Sequence, residues 1–266
     1  MSDVSVPDVD AIVLDIDGGE LLTACLDSLF AQTLKPRRVI VVDNGSRVPV
    51  RERIAHDVTI IRHEENRGFA GGVNSAQSDA PFLALVNNDV VLDPDWLQYV
   101  RDAMERDEQL GAVQTIIRRP NGLIDGAGID VSNGTFRQIG YNQLIGSRLA
   151  VAWGVSATAT LYRRAAITGP IFDERLFAYY EDVELCARLR RDRWRLGVLP
   201  VVKATHHGSK SAGVLPDAVR LRTRNRYLVA RMHGIGSIGA LLWEDVRLLL
   251  RGRSSLRGIW QGLTER

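Results

Sequence analysis

The sequence predicts an α/β protein with a mostly parallel central sheet, flanked by helices and followed by C-terminal helices. Three observations carry that expectation. Apolar runs such as Phe82 to Val86 are nearly unbroken, as in strands buried on both faces. Through the first half these runs alternate with helical stripes, which implies parallel strands joined by right-handed crossovers. From Arg220 onward the pattern changes to ten arginines against Glu244, Asp245 and Glu265, interleaved with leucines and Trp243.

Ala11 to Leu14 is the first predicted strand, ending in Asp15, Ile16, Asp17, Gly18 and Gly19. Leu21, Leu22, Cys25, Leu26, Leu29 and Phe30 then form the apolar stripe of a helix over Glu20 to Gln32. Arg38 to Val42 is a second strand, closed by Asp43, Asn44, Gly45 and Ser46, and Val58 to Arg62 a third. A helix is expected over Gly72 to Gln77, then the Phe82 strand, then a helix near Pro94 to Arg106 with Asp93 as its N-cap. Gly111 to Ile117 is another strand. Arg118 to Ala150 reads as an irregular β-rich insertion walling a pocket, with Asn121-Gly122 and Asn133-Gly134 as hairpin signals. Trp153 to Tyr162 reads as a strand and Arg163 to Ile167 as a short helical piece. A helix within Phe177 to Arg193 and a strand over Arg195 to Pro200 follow.

The composition, 45% apolar and 25% charged, is that of a soluble globular protein. The net charge of +2 makes no global case for nucleic-acid binding. Cys25 and Cys186 lie in helical patterns and read as buried free thiols of a reducing compartment. The N-terminus lacks a signal-peptide pattern, and no apolar run approaches the ~18 residues of a spanning helix. These features predict a cytoplasmic protein. The arginine-rich tail suggests amphipathic helices lying on an anionic membrane, at its inner face. A solvated face packed on the core fits the same residues.

Three predicted strands end in carboxylate-bearing turns, at Asp15 and Asp17, at Asp43, and at Asn87, Asn88 and Asp89. In a parallel sheet these ends share one edge, where ligands of open α/β sheets bind. A single such Asp is an ordinary turn residue or helix cap; three together look like a site for a nucleotide and a metal, with Asp89 as a ligand. Glu181 and Asp182 open a predicted helix, either as caps or as a general base beside Tyr179 and Tyr180. His206 and His207 follow a strand as candidate metal ligands or plain surface histidines. The G-x-G-x-x-G and Walker A patterns are absent.

Six stretches together resemble the family 2 inverting glycosyltransferases of GT-A fold, closest to rhamnosyltransferase-like bacterial members. They are GELLTACLDSLFAQT, VIVVDNGS, ENRGFAGGVN, VNNDVVLDPDW, FDERLFAYYEDVELCARLRR and HHGSKSAG, within residues 10 to 210. The resemblance implies a glycosyltransferase domain over 1–215, with a nucleotide-binding half (10–117) and an acceptor half (118–215), then basic helices over 216–266. It implies that Asp43 binds the donor's base and that Asp15, Asp17, Asn66, Gly68, Asn74 and Asn88 border the nucleotide. It also implies that Asp89 and His206, with His207 as the alternative, hold Mg2+ or Mn2+, and that Asp182 is the catalytic base. The implied partners are a dTDP- or UDP-sugar donor and a glycan or polyprenyl-linked acceptor of surface polysaccharide synthesis. Asn87 stands where many relatives carry Asp, and Asp15-Ile16-Asp17 where they read Thr-Tyr-Asn. A non-catalytic sugar-nucleotide or glycan binder is the alternative, and a nucleotidyltransferase a third class.

Overall fold

The computed structural model describes residues 8–132, 134–208 and 217–265. The strands are β1 (Val9–Asp15), β2 (Arg38–Asn44), β3 (Thr59–His63), β4 (Phe82–Asn87), β5 (Val90–Leu92), β6 (Leu110–Arg118), β7 (Ile124–Gly126), β8 (Ile129–Asp130), β9 (Arg137–Gln138), β10 (Ala159–Arg163) and β11 (Arg195–His206). The helices are α1 (Glu20–Phe30), α2 (Gly68–Asn74), α3 (Trp96–Arg106), α4 (Glu181–Arg191), α5 (Ala218–His233), α6 (Ile238–Leu249) and α7 (Leu256–Thr264). The main sheet runs β3-β2-β1-β4-β10-β6-β11-β5, with β7 on β6. Strands β1 to β4 are parallel, and β11 is parallel to β6. β10 inserts antiparallel between β4 and β6, and β5 antiparallel against β11.

Both faces of this sheet are covered. Val9, Ala11 and Val13 of β1 face Leu22, Cys25, Leu26 and Leu29 of α1 and Leu97, Val100 and Met104 of α3. Ile12 points the other way, into a cluster with Ala70 and Val73 of α2 and Leu185, Cys186 and Leu189 of α4. Period-2 alternation within a wholly apolar run is what a doubly covered strand requires. Each fully buried Leu here contributes about 1.5–3 kcal/mol. Both cysteines are buried free thiols.

Several boundaries differ from the sequence expectation, each for a local reason. Helix α3 starts at Trp96, so Asp93 is not its N-cap; the Asp93 carboxylate meets Arg118 at 3.3 Å and Asp95 takes the N-cap position. Helix α2 starts at Gly68 rather than Gly72, because Asn66 Oδ1 accepts the Gly68 N–H and turns the chain early. Gly68 has φ +73°, and its missing Cβ is the space that the Phe177 backbone occupies. The Trp153–Tyr162 run enters the sheet only from Ala159, since Ser156 is drawn aside by Gln114. Arg195 onward is one strand to His206, with register shifts around Pro200 that accommodate the proline. Asn121-Gly122 makes its turn, with Gly122 N–H donating to Arg119 O, while Asn133 lies outside the described residues.

The arginines of α5 are not a surface stripe. Arg226 is buried on Asp245, Arg224 binds Glu265, and Arg231 donates to the carbonyls of Gly262 and Glu265. They staple α6 and α7 onto α5. The His233–Glu184 contact at 3.0 Å ties α5 to α4. Among the described residues no helix is long and apolar enough to cross a membrane.

Candidate active site

The carboxyl ends of β1, β2 and β4 lie along one edge, as the parallel topology demands, and the start of β10 lies beside them. A cavity of about 280 Å³ opens there. Its lining includes Asn66, Gly68, Asn87, Asn88 and Asp89 from the first half of the chain, and Tyr179, Glu181 and Asp182 from around the start of α4. Asp89 and Asp182, far apart in sequence, therefore share one cavity. A second cavity of about 420 Å³, lined by Phe136, Arg137, Gln138 and Tyr180, shares Tyr179, Glu181, Asp182 and Arg222 with the first.

The other predicted site residues sit behind this lining. Ile16, not Asp15 or Asp17, faces the first cavity. Asp15 is buried, with Arg53 Nη2 at 2.8 Å and Asn88 Nδ2 at 2.6 Å on its carboxylate; Asp17 pairs with Arg47. Asp43 is fully buried and accepts from Ser46 N, Val50 N and Arg62. Burial opposes its charge, but those donors hold its pKa below the ordinary range. Asp43 thus shapes the loop after β2 and does not line the cavity. Asn74 also lies outside it, bonded to Phe172 N at 2.9 Å and Phe172 O at 2.8 Å, which ties α2 to the chain before α4.

His206 reaches Asp89 through strand register. β11 pairs with β5 so that His206 faces Val90, one residue from Asp89. Its Nε2 lies 3.2 Å from Asp89 Oδ2, and its Nδ1 binds Asp125 Oδ2 at 2.7 Å. Burial alone would lower the imidazole pKa; the hydrogen bond with Asp125 and the charge of Asp89 beside the ring outweigh it and push it up to about 9. Asp89 Oδ2 is buried and accepts no hydrogen bond among the described residues. Among the described residues no cluster of three or more His, Cys, Asp or Glu could hold a metal by itself. The pair nevertheless suits a divalent cation that keeps other positions for water or phosphate: an orphaned hard oxygen beside an imidazole whose second nitrogen is oriented by a carboxylate. His207 donates its backbone N–H to Asp89 O. Residues 209–213 of the HHGSKSAG stretch lie outside the described residues.

The start of α4 is strained. Phe177, Tyr179 and Tyr180 have φ of +61°, +74° and +68°, which non-glycine residues rarely adopt. Asn225 of α5, fully buried, holds them there. Its Nδ2 lies 2.7, 2.8 and 2.9 Å from the carbonyls of Leu176, Ala178 and Tyr179, two N–H bonds shared among three acceptors. Asn225→Ala removes the donor from the Ala178 and Tyr179 carbonyls, while Leu176 O keeps the Ala178 N–H, and is expected to cost about 1–3 kcal/mol in denaturant unfolding. A loss under a few tenths would show that water replaces the amide.

Glu181 and Asp182 follow at once. Burial raises both pKa values, and for Glu181 the charge of Asp182 adds to it. Glu181 Oε2 has no hydrogen-bond partner among the described residues. Asp10, at the opposite end of β1, is buried as well, yet Arg37, Arg38 and Ser78 overcome burial and draw its pKa down. A buried carboxylate with all its donors is structural; a pair beside a cavity, held above the ordinary carboxylate range by burial, is suited to moving protons. Asp125, Arg222 and Asn225 escaped sequence reading. Asp125 stands in the irregular insertion, and the other two in the arginine-rich tail, where no motif marks them.

Comparisons with known proteins bear on the family and the fold. The chain is 29% identical to the O-antigen biosynthesis protein RfbC of Myxococcus xanthus over 80% of its own length, but spans only 18% of that protein. It is 28% identical to the N-acetylglucosaminyl-diphospho-decaprenol L-rhamnosyltransferase of Mycobacterium tuberculosis, covering 90% of this chain and 88% of that one. In fold it is similar to a mannosyltransferase from Pyrobaculum calidifontis solved with GDP-Man and Mn2+, with a TM-score of 0.63, 17% identity, 96% of this chain and 78% of that one. S. aureus TarS 1-349 in complex with UDP-GlcNAc gives a TM-score of 0.58 and 17% identity over 85% of this chain and 65% of that one. Residues 17–168, more than half of the sequence, match glycosyl transferase family 2. The chain has the GT-A glycosyltransferase fold and belongs to glycosyl transferase family 2.

Proposed function

We propose that the chain transfers a sugar from a nucleoside-diphosphate donor to a hydroxyl of a glycan or lipid-linked acceptor, inverting the anomeric centre. One observation carries the reading: Asp89 and the Glu181–Asp182 pair line one cavity at the carboxyl ends of the parallel strands. Asn66, Gly68 and Asn88 border the donor in the first cavity. The second cavity takes the acceptor, since it meets the first only at Tyr179, Glu181, Asp182 and Arg222. Asp182 accepts the proton of the attacking hydroxyl, which needs a base because a neutral hydroxyl is a poor nucleophile. A direct displacement needs no enzyme nucleophile.

Asp89 and His206 would hold Mg2+ or Mn2+, which when bound supplies positive charge for the departing diphosphate. Asp125 keeps the His206 ring oriented for this role. The donor proposed first is dTDP-rhamnose and next a UDP-hexose, supported by the name of the Mycobacterium tuberculosis relative; the same name supports a polyprenyl-diphosphate acceptor. An acceptor of that kind is presented at a membrane surface, which would place the chain at the inner face of the cell membrane.

The test is incubation with a panel of nucleotide sugars and lipid-linked or free glycan acceptors, with and without Mn2+. Release of the nucleoside diphosphate with a new glycoside of opposite anomeric configuration is expected. Binding without turnover would favour a sugar-nucleotide binder, the reading that Asn87 in the cavity favours. Release of pyrophosphate would instead identify a nucleotidyltransferase.

A further inference from the structure

Helices α6 and α7 each bury one face on α5 and turn the other away. Helix α7 approaches α5 through Gly258 and Gly262. A Cβ at Gly258 would lie 2.7 Å from Arg220 O, and one at Gly262 would collide with Arg224 O. That contact sets the rotation of α7 and leaves Leu256 and Trp260 on the far side, 71% and 65% exposed. Helix α6 is held by Leu241, packed with Tyr227 and Ala230, and by Asp245, bonded to Arg226, Tyr227 and Ser254. Its far side carries Leu242, Trp243, Val246 and Leu250, a helical stripe in which Trp243 is 65% and Leu250 87% exposed. Exposed apolar stripes of this size, each with a tryptophan, mark a contact surface.

The charge around the stripes identifies the partner. The acidic groups of the two helices are engaged inward: Asp245 and Glu244 with Arg226, Glu244 also with Arg137, and Glu265 with Arg224. Arg247, Arg251, Arg253 and Arg257 form no ion pair among the described residues, and Arg247 lies 5.2 Å over the Trp243 ring. A second copy of the chain packing on itself through this face would set these arginines against one another. An anionic lipid surface answers both features, taking tryptophan and aliphatic side chains at its boundary and phosphate against guanidinium. The helices are too short and too polar to span.

We propose that the outer faces of α6 and α7 dock the protein on an anionic membrane surface. The geometry gives the docking a use. Phe136, which lines the second cavity, packs against the same cluster of Tyr227, Ala230 and Leu241 as Ile238 of α6. The docked helix is thus a neighbour of the acceptor chamber. Docking stands apart from the transfer reaction and can be read without any donor.

The experiment is co-sedimentation of the full chain with vesicles of phosphatidylcholine alone or mixed equally with phosphatidylglycerol. Binding to the mixed vesicles is expected, weakening with added salt. Trp243→Ala with Trp260→Ala is expected to reduce it at least about tenfold. The fourfold variant R247Q, R251Q, R253Q and R257Q is expected to lose the preference for phosphatidylglycerol. All six positions are exposed, so melting temperature and transfer to a soluble acceptor stay as in the parent chain. Equal sedimentation of parent and variants would overturn the proposal, as would absence of the parent from the vesicle pellet. A parent that is dimeric in solution and made monomeric by the tryptophan changes would assign the face to a second copy instead.

Discussion

Asp182→Asn is expected to lower the transfer rate by about 10²–10⁴-fold while leaving donor affinity close to that of the parent chain. The amide keeps the shape of the carboxyl and can still occupy the first turn of α4, but it takes no proton from an acceptor hydroxyl. Single-turnover transfer, with donor binding followed by calorimetry, separates the two effects. Transfer near the parent rate would exclude Asp182 as the base. Because burial raises the Asp182 pKa, the rate of the parent chain should climb with pH, with its midpoint above the ordinary aspartate range. Stability should move the opposite way. The native Glu181–Asp182 pair keeps protons that the unfolded chain has already released, so stability falls as pH rises from the ordinary carboxylate range through the raised native values. Asp182→Asn removes part of that cost, and its melting temperature at mildly alkaline pH should equal or exceed that of the parent. An inactive variant that is also more stable is the signature of a group kept for chemistry.

Asp89→Ala is the second large effect. Its Oδ2 is the orphaned buried oxygen beside His206, and its loss should abolish any dependence of donor binding on Mn2+. Altering an outer partner of a metal ligand typically costs about 10–100-fold in affinity, and removing the ligand itself should cost at least that. Calorimetric titration of a nucleoside diphosphate with and without Mn2+ reads this directly. Asp125→Asn should fall between the parent and Asp89→Ala, since it disturbs His206 and leaves the carboxylate in place. Equal Mn2+ dependence in the parent and in Asp89→Ala would remove Asp89 from the metal's coordination.

Much of this was legible in the chain because local chemistry and tertiary placement agreed. A continuous apolar run that stops at Asn87 can only be a covered strand with a polar end, and parallel topology then gathers such ends on one edge. Asp89 was readable on that logic; Asp182 was readable only as the opening of a helix, and its share in the same cavity comes from the fold. Asp15 and Asp43 were placed at the right edge, yet the sequence does not show that Arg53 and Arg62 reach back to bury them. Those contacts cross between elements with no periodic trace. The same holds for Asn225, whose role depends on where α5 crosses the segment before α4. The arginines from Arg220 to Arg231 look like those from Arg247 to Arg257 as letters. Only packing separates the inward staples from the outward face.

The position of His206 rests on pairing with β5, a strand of three residues. Side chains alternate across a sheet, so sliding β11 by a single residue against its neighbour would swing the imidazole to the reverse side. Length and sequence between Pro200 and Thr205 therefore act on the Asp89–His206 pair as strongly as the identity of the histidine. An insertion there would mimic its loss without touching it.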